Sequence, residues 1–512
     1  MSLDPRTPVV VGVGEASERI GEPGYAALSP VGLGAAAAAA ALADTGADPA
    51  AVAAALTVVA GVRQFEMSVP GAVAPLGRAD NYPRAVARRV GADPRRAVLD
   101  VVGGQSPQRL VSEFAGAIAR GEAGAVLLVG AEAMSTVRDL MSRPEAERPD
   151  HGEHVGGTLE DRGYGSELRS PVAEAHGVLS PAAYYALCEN ARRARLGLGR
   201  DAHAHGMGEL FAPFTRVAAG HPHAAARQVR TPEELVTTDD RNRMITDPYP
   251  RFLVSRDQVN QGAAVVLTSA GTAHDLGIDP QRWVFLHGHA DLTEHAVLDR
   301  PDLGAYPAAE AAVRHALDRA GTGVDDLAAI DLYSCFPIAV SSVADPLGLA
   351  ADDPRGLTVT GGLPFFGGPG NDYSMHAVAE VVRRLRADPG TYGLVGANGG
   401  FLSKYSAGVY STRPAPWRDD DSAALQARLD AVPTVPTTTA ADGAATVETW
   451  TVRHDRDGSR HAVVVGRLDD DGGARFIGCG RDDELPELLA GDPAGAAVRV
   501  RPDGKLTIVT PR

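Results

Sequence analysis

Cysteine is scarce here, with only three in 512 positions: Cys188, Cys335 and Cys479. They lie far apart and form no Cys-x-x-Cys pair. That excludes a disulfide framework and a zinc knuckle, and it fits a reducing cytoplasm. Aromatic residues are also few, at 5%. No apolar run is long enough to span a bilayer, since Ala35–Ala41 is too short and too small. The N-terminus has no basic segment followed by an apolar one, so no secretory signal is expected. No Gly-x-Gly-x-x-Gly joins a strand to a helix, which excludes a dinucleotide fingerprint. No metal-ligand spacing is present: His151-Gly152-Glu153-His154 lacks a third ligand, and His203 and His205 sit in a polar stretch. Positive charge is in deficit, with 49 Lys and Arg against 65 Asp and Glu, a formal net charge of -16. Such a surface repels phosphate backbones and argues against nucleic-acid partners. A phosphate-bearing ligand would have to be held by local Arg, backbone N–H groups or helix N-termini.

What is present is ordinary for a globular chain: 44% hydrophobic and 22% charged residues. The length predicts about three domains. The abundance of Ala and Gly is read as compositional bias and given no functional weight.

A duplication runs through the first four-fifths of the chain. Ala35–Ala43 and Ala308–Arg319 are both predicted helices, each with Pro near its start (Pro30, Pro307) and Gly after its end (Gly46, Gly321). Asp93-Pro94-Arg95 leads into an apolar run and Gly103-Gly104, as Asp353-Pro354-Arg355 leads into Leu357–Thr360 and Gly361-Gly362. An amphipathic helix follows each Gly pair, one with Leu110, Val111, Phe114 and Ile118 on its apolar face, the other with Met375, Val378, Val382 and Leu385. Each then leads to a strand that should end in a Val-Gly-Ala turn, at Val129–Ala131 and Val395–Ala397. Strand and helix alternate in both copies, which favours an α/β fold of two stacked βαβ halves with buried central helices.

Between the halves, across 139–245, the pattern decays into a polar insert expected to hold short helices. After about residue 416 the character changes again. A Thr, Pro and Ala-rich linker over 416–440 precedes short alternating runs over 441–512, which predict a small β-barrel of the OB type. The expected organisation is an N-terminal half over 1–270, a C-terminal half over 280–415, the linker and the barrel.

These strings resemble the thiolase superfamily, in particular the sterol-carrier-protein-type thiolases and their type-1 thiolase-like branch. Gly104–Ser135 resembles the nucleophile helix and the strand after it. Met244-Ile245-Thr246-Asp247-Pro248 resembles part of the loop region, and Gly361–Ala377 the C-terminal catalytic loop. The resemblance covers about residues 7–412 and implies the duplicated, five-layered thiolase fold, an acyltransferase-type cleft and acyl-CoA as substrate or ligand, with no covalently bound cofactor. A monomer and a homodimer both fit that family.

The family's catalytic motifs are altered. A thiolase carries its nucleophilic Cys at a helix N-terminus, which stabilises the thiolate. That position is Gly104 here, followed by Gln105, Ser106 and Pro107. Ser106 is expected to cap the helix rather than act as nucleophile. What remains is an oxyanion or anion site of backbone N–H groups. The Gly-His-Pro motif corresponds to Gly367-Gly368-Pro369, so its His is Gly368, and the literal Gly220-His221-Pro222 is read as coincidence. His376, in the first turn of the following helix, is either a substitute base or hydrogen-bond donor or a packed His. Asn371 caps that helix or lines the cleft. Tyr333-Ser334-Cys335-Phe336 stands where the family has Asn-Glu-Ala-Phe or His-Asp-Cys-Phe. Tyr333 offers a hydroxyl, and Cys335 is a site thiol or a small buried apolar group. The Cys-x-Gly acid/base motif corresponds to Asn398-Gly399-Gly400, where Asn can donate a hydrogen bond but transfer no proton. Lys404 either reaches a CoA phosphate or lies on a solvated face.

Three functions compete on this reading. One is a diverged acyltransferase or acyl-CoA enzyme. The second is a non-catalytic acyl-CoA binder. The third is a retro-aldol carbon–carbon lyase acting on a β-hydroxyacyl-CoA. Ordinary thiolysis is not expected.

Overall fold

Pro30 and Pro307 each occupy the first turn of an Ala-rich helix, Pro30–Asp44 and Pro307–Ala320, where a missing N–H costs nothing. Both helices lie flat against a strand at a glycine. A Cβ at Gly12 would overlap the carbonyl oxygen of Ala41, and one at Gly288 that of Ala316. The Ala and Gly content therefore has a packing cause at these helices: small residues let helix and strand approach closely.

The computed structural model describes residues 3–165, 170–480, 485 and 489–511. The first half supplies β1 (Pro8–Ser17), β2 (Leu56–Gly61), β3 (Arg96–Leu99), β4 (Ala125–Ala133) and the two-residue β5 (Glu160–Asp161). The insert supplies β6 (Met244–Thr246) and β7 (Tyr249–Pro250), and β8 (Asn260–Ser269) returns to the first half. The second half supplies β9 (Phe285–Thr293), β10 (Leu327–Leu332), β11 (Tyr392–Gly399) and β12 (Lys404–Ser411). The C-terminal region supplies β13 (Gly443–His454), β14 (Arg460–Leu468), β15 (Arg475–Cys479), β16 (Ala497–Asp503) and β17 (Leu506–Pro511).

These strands form two mixed sheets, ordered β1-β8-β4-β2-β3-β5 and β10-β11-β12-β9. The crossover strands pair in parallel, while β8 runs antiparallel to both β1 and β4. Between the sheets lie the two amphipathic helices, Ser106–Ala119 and Tyr373–Ala387. Leu110, Phe114, Val378 and Val382 share one buried core with Val126 and Val265 from one sheet and Val395 from the other. The paired Ala-rich helices cover the outer sheet faces. The result is the duplicated, five-layered α/β thiolase fold.

Several local expectations are corrected. Val129–Ala131 and Val395–Ala397 are not turns but the interiors of β4 and β11. Gly130 is small because Asp372 packs against it, not because the chain turns there. The repeat is also imperfect. Leu357–Thr360, the counterpart of β3, forms no regular strand, because the buried Asp331 carboxylate takes up its hydrogen-bonding groups from Thr358 and the Val359 N–H. The insert is more regular than its composition suggested, with helices at Pro181–Arg195 and Arg200–Gly220, the latter 21 residues long. Residues Ser422–Asp430 form a helix inside the Thr- and Pro-rich segment.

In the C-terminal region, β14-β15-β17-β16-β13 closes through the β13–β14 pairing into a five-stranded barrel around Trp450, Val464 and Phe476. The barrel does not hang free. β6 of the insert continues its sheet by pairing with β13, and Asn190 of the insert donates to the Trp450 carbonyl.

Candidate functional site

The turn after β3 brings Gly103, Gly104 and Gln105 to the start of the first central helix. Gly103 has φ +141°, a conformation that side chains avoid. Opposite it, β10 ends at Leu332, and the Tyr333 N–H bonds to the Gly396 carbonyl at 3.0 Å. This lays the Tyr333 ring across Gly104. A Cβ at position 104 would overlap the Tyr333 hydroxyl and come within 2.6 Å of the Asn398 carbonyl oxygen. At position 104, where the sequence reading expects the family's nucleophile, there is thus no side chain, and the volume one would occupy is filled.

Asn398, on β11, is 1% exposed. Its amide N–H₂ donates to the Tyr185 hydroxyl at 2.7 Å and lies 3.9 Å from the Cys335 sulfur. The Tyr185 hydroxyl donates onward to the Gly400 carbonyl at 2.9 Å. The donors of Asn398 are thus engaged within the protein, while its Oδ1 and the Oε1 of Gln105 are buried acceptors without hydrogen bonds. Cys335 is 7% exposed, and burial pushes its thiol up to about 12, against hydrogen bonds from Tyr185, the backbone and Asn398. It is a neutral thiol at pH 7, not a nucleophile.

Tyr185 was not singled out in the sequence because it lies in the polar insert. The adjacent aromatics Tyr184-Tyr185 were the available signal. Tyr184 stacks on Phe401 at 4.1 Å and Tyr185 on Phe336 at 4.5 Å, so the insert helix is stapled over the site.

The other expected site residues take different roles. Ser106 does not cap the helix. It is the first helical residue, and its hydroxyl donates to the buried Asp100 carboxylate, which Arg109 and Arg162 also contact. Asn371 does not cap the second central helix either. Its Oδ1 accepts from Gly103 N–H at 3.1 Å and its N–H₂ donates to the Arg63 carbonyl, bracing the glycine turn. Lys404 is neither solvated nor free for a phosphate. It is 6% exposed and donates to the Val102 carbonyl at 3.0 Å, with its pKa lowered by burial and by Arg109, against Asp100. At Gly368 a Cβ would meet the Ser255 hydroxyl, which would have to rotate away to admit a side chain.

His376 points away from Gly104. Two positions earlier, the Ser374 hydroxyl donates to the Gly104 carbonyl at 2.6 Å. Residues two apart in a helix sit about 200° apart around its axis. His376 is fully buried with its Nδ1 2.5 Å from Glu15, which Arg383 also pairs. Burial raises the Glu15 pKa, but the His376 hydrogen bond and the charges of His376 and Arg383 outweigh it and hold the carboxyl below its ordinary value. His221 of the literal Gly220-His221-Pro222 string lies in this cluster and not at the Gly104 turn. It is 6% exposed and stands 3.5 Å from Glu380.

A second buried acid gives a pH prediction. Burial raises Glu132 to about 8, against a hydrogen bond from the Phe65 N–H. Its folded pKa is above the ordinary 4.5. Its contribution is therefore full below pH 4.5 and is lost as pH rises toward 8. Glu132→Gln keeps an acceptor for Phe65 and removes this dependence. Urea unfolding should show the variant gaining stability over wild type, on the order of a few kcal/mol, between pH 5 and pH 8. Parallel pH profiles would contradict this.

Comparison with known proteins agrees with this architecture. The family described as "Thiolase-like protein type 1 additional C-terminal domain" matches residues 424–505. A "Probable acetyl-CoA acetyltransferase" of Mycobacterium tuberculosis (strain ATCC 25618 / H37Rv) is 31% identical over 151 residues, 28% of this chain and 35% of the relative. One of the same description from Mycolicibacterium smegmatis (strain ATCC 700084 / mc(2)155) is 29% identical over 135 residues, 25% of this chain and 32% of the relative. The chain thus matches about a third of the length of these curated relatives. The structure of an Ltp2-ChsH2(DUF35) aldolase shares the fold, with TM-score 0.56 and 19% identity over 80% of this chain and 98% of that one. A monomeric SCP2-thiolase like protein type 1 (STLP1) from Mycobacterium smegmatis superimposes over 100% of both chains, with TM-score 0.86 and 48% identity. With that agreement across the thiolase halves and the added barrel, the chain belongs to the SCP2-thiolase-like protein type 1 family.

Proposed function

We propose that this chain binds acyl-CoA thioesters without forming an acyl-enzyme. The observation that carries the reading is the Tyr333 hydroxyl in the volume where a nucleophilic side chain at position 104 would stand. Covalent transfer needs a thiolate there. The buried neutral Cys335 does not replace it. The likeness to acetyl-CoA acetyltransferases and the retained glycine turn at a central helix support a thioester ligand. A cleft of about 170 Å³ opens beside the Gly367-Gly368 turn, lined by Ser17, Arg19, His223, Arg256, Asn260 and Gln261. Arg256 supplies a local cation of the kind that a CoA phosphate needs on an acidic chain.

Three measurements on the full chain test this. Calorimetric titration with acetyl-CoA should show binding that weakens in Arg256→Ala. Intact mass after incubation should show no acyl adduct, and acetoacetyl-CoA with CoA should show no thiolysis. An adduct or turnover would sink the proposal, and so would the absence of acetyl-CoA binding at millimolar concentration.

A monomeric state is also proposed. The outer edge of β3 is occupied in cis by β5, through Val98–Glu160 and Leu99–Asp161, and β5 ends the sheet with two exposed carboxylates. An occupied, charged edge resists pairing with a second sheet. Light scattering should report a single chain mass, and a concentration-independent dimer would refute the argument.

A further inference from the structure

Two triads of closely spaced His and carboxyl groups occur among the described residues: Glu15 with His221 and Glu380, and His289 with Asp291 and Asp420. In the first, the Arg383 guanidinium already bridges both carboxylates. The second has no such cation. Among the described residues, neither Asp291 nor Asp420 forms an ion pair with Lys or Arg, so two carboxylates share one imidazole.

The second triad is also built. His289 and Asp291 alternate along β9 and so project to the same side of the strand. Asp420 arrives from the segment after β12. The donor atoms of all three lie within 4.8 Å of one another. His289 is 6% exposed, with the Trp417 indole stacked over it at 4.8 Å, and neither ring nitrogen makes a hydrogen bond. Its Nδ1 stands 3.2 Å from Asp420 Oδ2. That separation is close to the edge of a tetrahedron, about 3.3 Å, expected for metal bonds of about 2.0–2.1 Å. Both carboxylates are oriented from behind. The Ser406 hydroxyl donates to Asp291, and the Ser422 hydroxyl donates to Asp420 at 2.6 Å while accepting the Asp291 N–H at 2.9 Å. Such outer hydrogen bonds are what hold metal ligands in place.

We propose that His289 Nδ1, Asp291 and Asp420 bind a divalent transition metal of the Zn²⁺ class, pinning the segment that leads to the C-terminal barrel onto the edge strand of the second sheet. One nitrogen and two carboxylate donors suit that class, and water completes the fourth position. The cation offsets the excess negative charge of the triad. This site is separate from both the Gly104 turn and the Arg256 cleft, so it stands or falls independently of the acyl-CoA reading.

The test uses the full chain stripped with EDTA. Titration with ZnCl₂ should show one equivalent bound, with a change in Trp417 fluorescence. Co²⁺ should give the intense visible bands of a tetrahedral site. His289→Ala and Asp420→Asn should each weaken binding at least about tenfold. His205→Ala, which alters an exposed His paired with Glu209, should leave it unchanged. Binding of less than one equivalent, a weak octahedral Co²⁺ spectrum on the unmodified chain, loss of binding in His205→Ala, or unaltered affinity in both triad variants would overturn the proposal. The Co²⁺ spectrum of the unmodified chain decides the matter even if a triad variant fails to fold.

Discussion

Gly104→Cys is expected to destabilise the chain by about 1–3 kcal/mol and to confer no thiolysis. Restoring the family's residue at its family position therefore should not restore its chemistry. The new Cβ would stand 2.6 Å from the Asn398 backbone oxygen and overlap the Tyr333 hydroxyl. The first obstacle is backbone of β11 and moves only with the sheet. The second is a side chain held edge-on to Tyr373 at 5.3 Å, and Tyr373 is itself bonded to Asp331. Combining Gly104→Cys with Tyr333→Ala removes the movable obstacle but leaves the fixed one. The double variant should therefore recover part of the loss attributable to Gly104→Cys, a favourable coupling in a double-mutant cycle. Urea unfolding of the four proteins measures it. Strict additivity would mean that Tyr333 does not fill the nucleophile's place.

The second large effect concerns the barrel. Trp450→Ala is expected to cost about 3–5 kcal/mol and to loosen the insert as well as the barrel. Trp450 is 1% exposed, and its ring lies under Arg200 at 4.4 Å, a residue of the insert's longest helix. Its neighbour Thr449 donates to the Leu187 carbonyl at 2.6 Å, and Arg193 pairs with Asp492 at 2.7 Å. The insert helix carrying Leu187 and Arg193 also carries Tyr185, which bonds to Asn398. Loss of the tryptophan therefore propagates toward the candidate site through one rigid helix. Limited proteolysis should show new cleavage in both the barrel and residues 181–195. Cleavage confined to the barrel would show that the two are energetically independent.

The duplication was legible because both halves repeat the same local signals: Pro at a helix start, Gly after its end, and a Gly pair before an amphipathic helix. The interior strands β4 and β11 were legible as apolar runs, but their Val-Gly-Ala strings looked like turns. A glycine that admits a neighbour's side chain and a glycine that turns the chain are the same letter. The insert was misjudged because its charged, Gly and His residues mask the apolar stripe that packs inward, such as Met207, Leu210, Phe211 and Phe214 of the longer helix. The site residues divided in the same way. The reading of Gly104 and Gly368 as altered motif positions rests on the sequence strings alone. The direction of Ser374 toward Gly104 and of the buried His376 toward Glu15 depends on how the helix is rotated against its neighbours.

The sequence by itself determined the paired halves, the added barrel and the identity of position 104 as glycine, since each depends on local pattern or on the identity of one residue. Only the tertiary structure decided that Tyr333 fills the empty place, that Lys404 and Asn371 brace the glycine turn, and that His289, Asp291 and Asp420 converge. Those outcomes depend on the approach of chain segments more than a hundred residues apart, and side-chain volume and direction at such an approach are fixed by packing.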